Sequence, residues 1–147
     1  MIAGLVAVAV VSGVSWWSLG RAGDESSRDD TTAALRVAME ELLAGPTPAE
    51  RRAGLDSWFS EETADRLRSV TIEGGHAVVD FHDLRDVIPN AGSSAGSRRL
   101  LAELDATVFQ FRSISSVEYR LDGDCEAFTE WLQIGGCDPR PRPARRS

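Results

Sequence analysis

Four side chains that can bind metal ions or transfer protons lie close together in the sequence: His76, Asp80, His82 and Asp83. His76 and His82 fall on one side of a predicted strand but lie about 20 Å apart, whereas ligand bonds to a metal are about 2 Å long. The two histidines therefore do not share an ion. Asp80 and His82 can still meet a third group, so an envelope hydrolase or metal-dependent enzyme is one hypothesis. A solvated strand face is the hypothesis that the pattern favours.

Neither a nucleophile elbow nor a phosphate-binding motif is predicted beside these residues. Ser93, Ser94 and Ser97 lie in a stretch rich in Gly and Ser that is predicted to be a flexible loop. It is therefore not the strand-turn-helix elbow on which a GxSxG motif presents a nucleophilic serine. The sequence also lacks a phosphate-binding glycine motif. We therefore predict no catalytic residue, no metal ligand, no cofactor-binding residue and no cofactor.

The two cysteines, Cys125 and Cys137, flank a short amphipathic segment that ends in Gly135 and Gly136. In an exported protein such a pair usually forms a disulfide, which would stabilise this short loop by about 3 kcal/mol. The spacing is not CxxC and no histidine is nearby, which disfavours a redox or zinc site. We predict a disulfide, with two buried free thiols as the alternative.

Length and charge limit the classes of protein to consider. A chain of 147 residues with 42% hydrophobic and 27% charged residues is typical of one globular domain with appendages. The formal net charge is -7, with 16 basic and 23 acidic residues. The Arg-rich last ten residues are basic, so the rest of the chain is more acidic than the total. This balance disfavours binding to nucleic acid.

The first residues predict a link to the membrane. The segment from Ile2 to Gly20 has no charged residue, and at ~1.5 Å per residue it is roughly as long as a bilayer core is thick. We predict that residues 1–23 are a transmembrane anchor or a signal peptide, for which Gly20 and Ala22 give small residues before the cut. By the positive-inside rule, Arg21 after the segment favours a cytoplasmic position for the rest of the chain, which opposes export. The cysteine pair favours export, because disulfides form in oxidising compartments. A buried helix is the remaining alternative.

A polar linker and two helices are predicted next. Residues 24–30 have no apolar period and predict an irregular linker. A helix capped by Asp30 or Thr31 follows and ends before Gly45 and Pro46. Its apolar face holds Leu35, Met39, Leu42 and Leu43. The run Thr47-Pro48-Ala49-Glu50 has the capping-box spacing of a short second helix, which Gly54 closes.

Two alternating runs around Gly74 and Gly75 predict a β-hairpin with Glu73 opposite His76. This register gives the hairpin a core face and a wet face. The core face holds Val70, Ile72, Ala77, Val79 and Phe81, and the wet face holds Ser69, Thr71, Glu73, His76, Val78 and Asp80.

The remaining segments complete an α+β pattern. Residues 90–97 predict a mobile loop, and a helix from about Arg98 to Phe111 follows. Residues 117–121 alternate as a strand. Residues 138–147, with Pro alternating with Arg, predict a disordered tail, which could also touch an anionic surface. The domain of residues 31–137 is therefore a small antiparallel or mixed sheet with helices packed on one face.

Three stretches resemble the GerMN module of bacterial sporulation and germination proteins and of actinobacterial envelope proteins. They are the run Leu42-Leu43-Ala44-Gly45-Pro46-Thr47 with Glu50, Arg51, Gly54 and Leu55; the hairpin of residues 67–81; and Leu100, Thr107, Phe111, Val117 and Leu121-Asp122-Gly123. The resemblance covers residues 32–123. This sequence departs from the family pattern in two places. Glu103 stands where the family tends to have Gln. Family members usually open with a strand before the first helix, and residues 24–30 are unsuited to form one. The sheet therefore lacks a strand or is completed by another segment.

The resemblance implies a GerMN-like fold and a module without catalysis. The favoured hypothesis is a binding or assembly module of the cell envelope, membrane-anchored outside the cytoplasm or secreted, whose partner is an envelope protein or polymer. Catalysis at Asp80 and His82 is one alternative. The other is a structural subunit that forms homo-oligomers through its sheet edge, because an unpaired edge can recruit another chain. The absence of Lys and the abundance of Ala and Gly are typical of a GC-rich actinobacterial genome.

Overall fold

The computed structural model describes residues 16–145, and side chains from residue 26 onward. The predicted anchor or signal peptide therefore lies mostly outside the described residues. Among the helices within residues 16–145, none combines the length and the apolar character that a bilayer span requires.

Within residues 16–145, five helical segments and four strands form one layer of helices on one sheet. The helices are α1 (Trp16–Ala44), α2 (Pro48–Arg52), a 3-10 turn (Glu61–Thr63), α3 (Ser94–Phe109) and α4 (Cys125–Leu132). The strands are β1 (Leu67–Glu73), β2 (His76–Phe81), β3 (Ser116–Leu121) and β4 (Arg140–Pro141). The sheet order is β1-β2-β3-β4, with β2 and β3 parallel and the other two pairs antiparallel. The predicted α+β fold with a mixed sheet is confirmed.

The hairpin has the predicted register. Glu73 pairs with His76 and Ile72 with Ala77 across the turn. Gly74 and Gly75 have φ of 54° and 80°, the left-handed values that a tight primed turn requires and that glycine adopts without strain. A register shift between Leu67 and Ser69 interrupts the start of β1. Local turn chemistry therefore sets which side chains of the hairpin face the core.

The core lies between one face of the sheet and helices α1, α3 and α4. Phe81 of β2, Tyr119 of β3 and Phe128 of α4 are buried, with ring centroids 5.3 to 6.4 Å apart. These spacings are those of interacting aromatic pairs. The helices add the buried residues Leu35, Met39, Leu43, Leu100, Leu104, Val108 and Leu132. The predicted packing of helices on one face of the sheet is confirmed.

Helix α1 corrects the predicted linker. Residues 24–30 are helical and continue into the predicted first helix without a break. Thr31 does not cap a helix start, because its hydroxyl donates to the Ser27 carbonyl one turn earlier, at 2.8 Å. Such back-bonding is compatible with a helix interior. Residues 24–30 contain no proline, and nothing in them stops a helix that begins upstream.

The predicted mobile loop at residues 90–97 is also corrected. Helix α3 begins at Ser94, and the Ser93 hydroxyl caps it by accepting a hydrogen bond from the Gly96 amide at 3.1 Å. Ala91 is fully buried, and a Cβ on Gly96 would meet the Asn90 carbonyl at 2.6 Å. The glycines and serines here are used for close packing and capping.

The Pro- and Arg-rich tail, predicted to be disordered, is docked as far as residue 145. Arg140 donates to the Asp105 carboxylate at 2.7 Å, and Asp105 also accepts from the Tyr119 hydroxyl. Burial, followed by the Asp105 charge, raises the pKa of Tyr119 well above its usual value, so the phenol remains a donor. The tail supplies β4 and thereby completes the sheet edge beside β3.

Arg142 anchors the tail at the carboxyl end of α3. Its guanidinium donates to the carbonyls of Phe109, Phe111 and Ile114 at 2.5 to 3.0 Å. These carbonyls lie at and just beyond the end of α3, where intrahelical donors run out and a cation is favoured. Pairing with such non-local acceptors gives an otherwise polar tail a fixed position.

Arg142→Ala is expected to lower the free energy of unfolding by about 2 kcal/mol, because several carbonyls lose a charged donor. Urea unfolding followed by circular dichroism measures this change. Arg145→Ala is the matched control, since Arg145 is an exposed arginine of the same tail. Equal stability of the two variants would contradict the docked tail.

Candidate functional site

Asp80 lies on the face of the hairpin opposite the hydrophobic core, as predicted, but it is not solvated there. It is 5% exposed, and its two oxygens are used by different parts of the chain. Arg68 donates to Oδ2 at 2.7 Å, and the Gly123 amide donates to Oδ1 at 2.8 Å. The irregularity at the start of β1 and the turn after β3 bring these donors together over β2. This carboxylate of β2 therefore links β1 to the turn after β3.

The other candidates of the predicted catalytic set contact separate partners. His76 shares a hydrogen bond with the Ser116 hydroxyl at 2.9 Å, and His82 is half exposed, 3.6 Å from the Asp122 carboxylate. Asp83 pairs with Arg85, which holds the pKa of Asp83 below its usual value. In the part of the chain that the structure describes, no three His, Cys, Asp or Glu side chains are grouped to hold a metal ion.

Asp80→Ala is expected to lower the free energy of unfolding by about 2 kcal/mol, because the Gly123 amide and Arg68 lose their acceptor. Thermal and urea unfolding of the purified chain measure the loss. Asp83→Ala is the control, because Asp83 pairs with the neighbouring Arg85 and joins no other strand. A fully stable Asp80→Ala chain would remove the structural explanation and return Asp80 to the list of reactive candidates.

Cys125 and Cys137 form the predicted disulfide, with Cα atoms 5.7 Å apart. Cys125 is the first residue of α4, and the Asp124 carboxylate caps this helix by accepting from the amides of Glu126 and Ala127. Cys137 lies three residues before β4. The bridge therefore fixes the start of the docked tail to α4.

A groove of about 500 Å³ opens between the end of α1, the α2 segment and α3. We call it the motif groove, because much of the stretch Leu42 to Leu55 lies along it. Its lining is Ala38, Glu41, Leu42, Gly45, Pro46, Glu50, Leu55, Asp56, Ser57, Glu103, Thr107 and Gln110. No sequence pattern pointed to the groove, because the residues of its walls lie far apart along the chain.

Capping and one close approach shape the α2 wall. The Thr47 hydroxyl accepts from the Glu50 amide at 3.2 Å, and the Glu50 carboxylate accepts from the Thr47 amide at 2.7 Å. This is the predicted capping box, and it is confirmed. Gly45 has φ of +71°, and a Cβ there would meet the Phe59 backbone. The residues of the resemblance therefore build a wall of the groove as well as a helix stop.

The charge of the groove is negative. Glu41, Glu50, Asp56 and Glu103 line it, and none of the lining residues that the structure describes is basic. The Thr47 hydrogen bonds lower the pKa of Glu50, and Arg99 lowers that of Asp56, so both carboxyls are ionised at neutral pH. Glu103 accepts from the Ser57 hydroxyl at 2.5 Å and is the position where the resemblance has Gln.

The groove also has an apolar surface. Leu55 is 57% exposed, and among the described residues only Val37 is a comparably exposed large hydrophobic side chain. Leu42 is half-buried beside it in the lining. The arrangement offers acceptors and apolar contact, which suits binding of a ligand with donors and an apolar side chain.

Comparisons with known proteins identify the domain. The family described as Germane, "Sporulation and spore germination", matches residues 18–125. A 2.5 Å crystal structure of a candidate lipoprotein from Clostridium perfringens matches with TM-score 0.52 and 18% identity, over 65% of this chain and 58% of that chain. The tandem GerMN domains of the sporulation protein GerM from Bacillus subtilis match with TM-score 0.46 and 24% identity, over 80% of this chain and 36% of that one. No curated protein matches the sequence.

This chain spans 58% of the Clostridium perfringens chain and 36% of the Bacillus subtilis chain. The Clostridium perfringens structure shows the same fold as this domain. The family match includes the motif groove and the first three strands. It ends at Cys125, so Cys137 and the docked tail lie beyond it. The tail that completes the sheet edge is therefore an addition to the matched region.

Proposed function

Because the chain belongs to the sporulation and spore germination family Germane, we propose that it is a non-catalytic binding module of the bacterial cell envelope. The module lies outside the cytoplasm, tethered or exported by its N-terminal segment, and binds an envelope protein through the motif groove. The observation that carries the proposal is that the family-like stretch from Leu42 to Leu55 builds a groove with an exposed leucine.

Two further observations support the location. The disulfide between Cys125 and Cys137 is the kind of bond that persists in oxidising compartments. The Clostridium perfringens chain with the same fold is a candidate lipoprotein. Both agree with an N-terminal segment that leads the domain to the membrane or through it.

Location is tested on protein from the envelope of the native host. Intact mass with and without thiol alkylation is expected to show a bridged cysteine pair, either with the N-terminal segment retained or with it removed near Ala22. Externally added protease is expected to cut the chain in cells whose outer layers are permeable to it. Reduced thiols on a full-length, protease-protected chain would contradict an extracytoplasmic location.

Binding is tested by placing a photoreactive amino acid at Leu55 and, as a matched control, at Val37. Both are exposed apolar positions, but only Leu55 lines the motif groove. After irradiation of living cells, a discrete cross-linked product is expected from position 55 and not from position 37. Identical product patterns from the two positions would contradict a role for the groove.

A second candidate function is assembly of identical chains through the sheet edge. The observation that favours it is that β1, with seven residues, is an edge strand of the sheet. Its backbone can accept another strand. Mass measured by light scattering over a range of concentrations tests this candidate, and an Ile72→Pro variant, which removes an edge amide, is expected to lower any dimer content. A constant monomer mass would exclude it.

A further inference from the structure

We infer that the motif groove receives a basic, leucine-containing linear segment of another envelope protein. This inference rests on the proposed function and names the chemistry of the partner. Its grounds are the charge of the lining, the way in which the groove already receives one arginine, and the exposed leucine beside the carboxylates.

The charge of the lining requires a cationic partner. Among the residues from 26 to 145, four carboxylates and no basic side chain line the groove. Complementary charge accelerates encounter and suppresses wrong partners. Such a surface repels anionic lipid and anionic envelope polymers, and it favours a cationic protein segment as the occupant.

Arg99 shows how the rim of the groove holds a guanidinium. Its Nη2 lies 2.9 Å from the Asp56 carboxylate, its Nε lies 3.7 Å from Glu103, and its Cζ lies 5.9 Å from the centre of the Trp58 ring. Carboxylates and an aromatic face are the usual receptors for arginine. One charged position is therefore already filled by the chain itself.

Glu41 provides a position for a second cation. It is exposed and lines the same groove, and its side-chain carboxylate makes no hydrogen bond or ion pair with another described residue. A basic side chain of the partner can reach this carboxylate without displacing Arg99. Arg99 thus partly neutralises the carboxylates of Asp56 and Glu103 on one side of the groove. The charge of Glu41 remains available to a partner.

The exposure of Leu55 and the volume of the groove indicate the apolar part and the size of the segment that binds there. Leu55 is 57% exposed, so an apolar side chain that covers it removes both surfaces from water. A volume of about 500 Å³ accommodates a few side chains and not a folded domain. A linear segment with a leucine close to an arginine or lysine satisfies both conditions.

The test uses the full chain in zwitterionic nanodiscs and three fluorescent twelve-residue peptides of Ser and Gly. One carries three Arg and three Leu, the second has Glu in place of Arg, and the third has Ser in place of Leu. Fluorescence anisotropy is corrected with empty nanodiscs. Only the first peptide is expected to bind appreciably, and its affinity is expected to fall as salt is raised.

Variants of the chain locate the binding. Glu41→Gln is expected to weaken the first peptide roughly threefold and Leu55→Ala roughly tenfold. Glu130→Gln and Val37→Ala are the controls, because they change exposed residues of the same types outside the lining. Equal affinity for all variants, equal binding of the Glu peptide, or no binding of the Arg and Leu peptide would each overturn the inference.

The cross-linking experiment distinguishes failure of the inferred partner chemistry from failure of the proposed function. A cellular cross-link at position 55 combined with no binding of the Arg and Leu peptide overturns the partner chemistry and leaves the binding module intact. Loss of both results overturns the two together. A cross-linked partner whose contacting segment carries Arg or Lys beside Leu supports the inference directly.

Discussion

Gly45→Ala is expected to lower the free energy of unfolding by about 3 kcal/mol. This loss is larger than the one expected for Gly54→Ala. Gly45 has φ of +71°, where an L side chain is strained. A Cβ would also meet the Phe59 carbonyl carbon at 2.7 Å and the Ser60 Cα at 2.9 Å. These are backbone atoms, so the chain must shift to make room. Urea unfolding followed by circular dichroism measures the loss.

Gly54→Ala is the control for this prediction. Gly54 has φ of +95°, but a Cβ there would meet no atom within 4 Å. Only the backbone preference is lost, so a decrease of about 1 kcal/mol is expected. Equal losses at the two glycines would show that close packing of Gly45 against residues 59 and 60 does not matter. Because Gly45 lines the motif groove, its variant is also expected to weaken peptide binding.

Removing the disulfide is the second large effect. The Cys125→Ser and Cys137→Ser double variant is expected to lose about 3 kcal/mol of unfolding free energy, because the unfolded chain regains the freedom of a short closed loop. The two cysteines are 12 residues apart. Urea unfolding of the oxidised chain and of the double variant, at equal pH and salt, measures the difference.

The double variant is also expected to exchange the amide hydrogen of Arg142 faster. This amide donates to the Ser115 carbonyl at 2.8 Å, and the tail that carries it starts near the bridge. Wild-type protein treated with a reducing agent serves as the control for the serine substitutions and is expected to behave in the same way. Unchanged unfolding after complete reduction would refute a stabilising role for the bridge.

Local signals predicted several elements correctly. The Gly74-Gly75 turn determined the hairpin register, because a two-residue turn leaves one pairing for the residues beside it. The spacing of Thr47 and Glu50 predicted a capping box whose two hydrogen bonds join residues three apart. Each of these interactions depends on residues close in the chain, which is why a sequence pattern reveals them.

Long-range partners explain two of the predictions that were wrong, the solvation of Asp80 and the disorder of the tail. Asp80 faces away from the hydrophobic core as its alternation predicted, but it is buried because the Gly123 amide, 43 residues away, and Arg68 cover it. Arg142 belongs to a segment with the composition of disorder, and it is ordered by carbonyls 28 to 33 residues earlier. Composition describes a segment in water and contains no information about the acceptors that packing brings to it.

The α+β class, the hairpin, the capping box of α2 and the cysteine pair could therefore be predicted from the sequence, because turns, caps and a short loop depend on neighbouring residues. Only the tertiary structure decided the burial of Asp80, the docking of the tail and the existence of the motif groove. The groove joins Glu41 and Leu55 to Glu103, which come from α1, the segment after α2, and α3. Packing of the helices against the sheet brings these separate segments together.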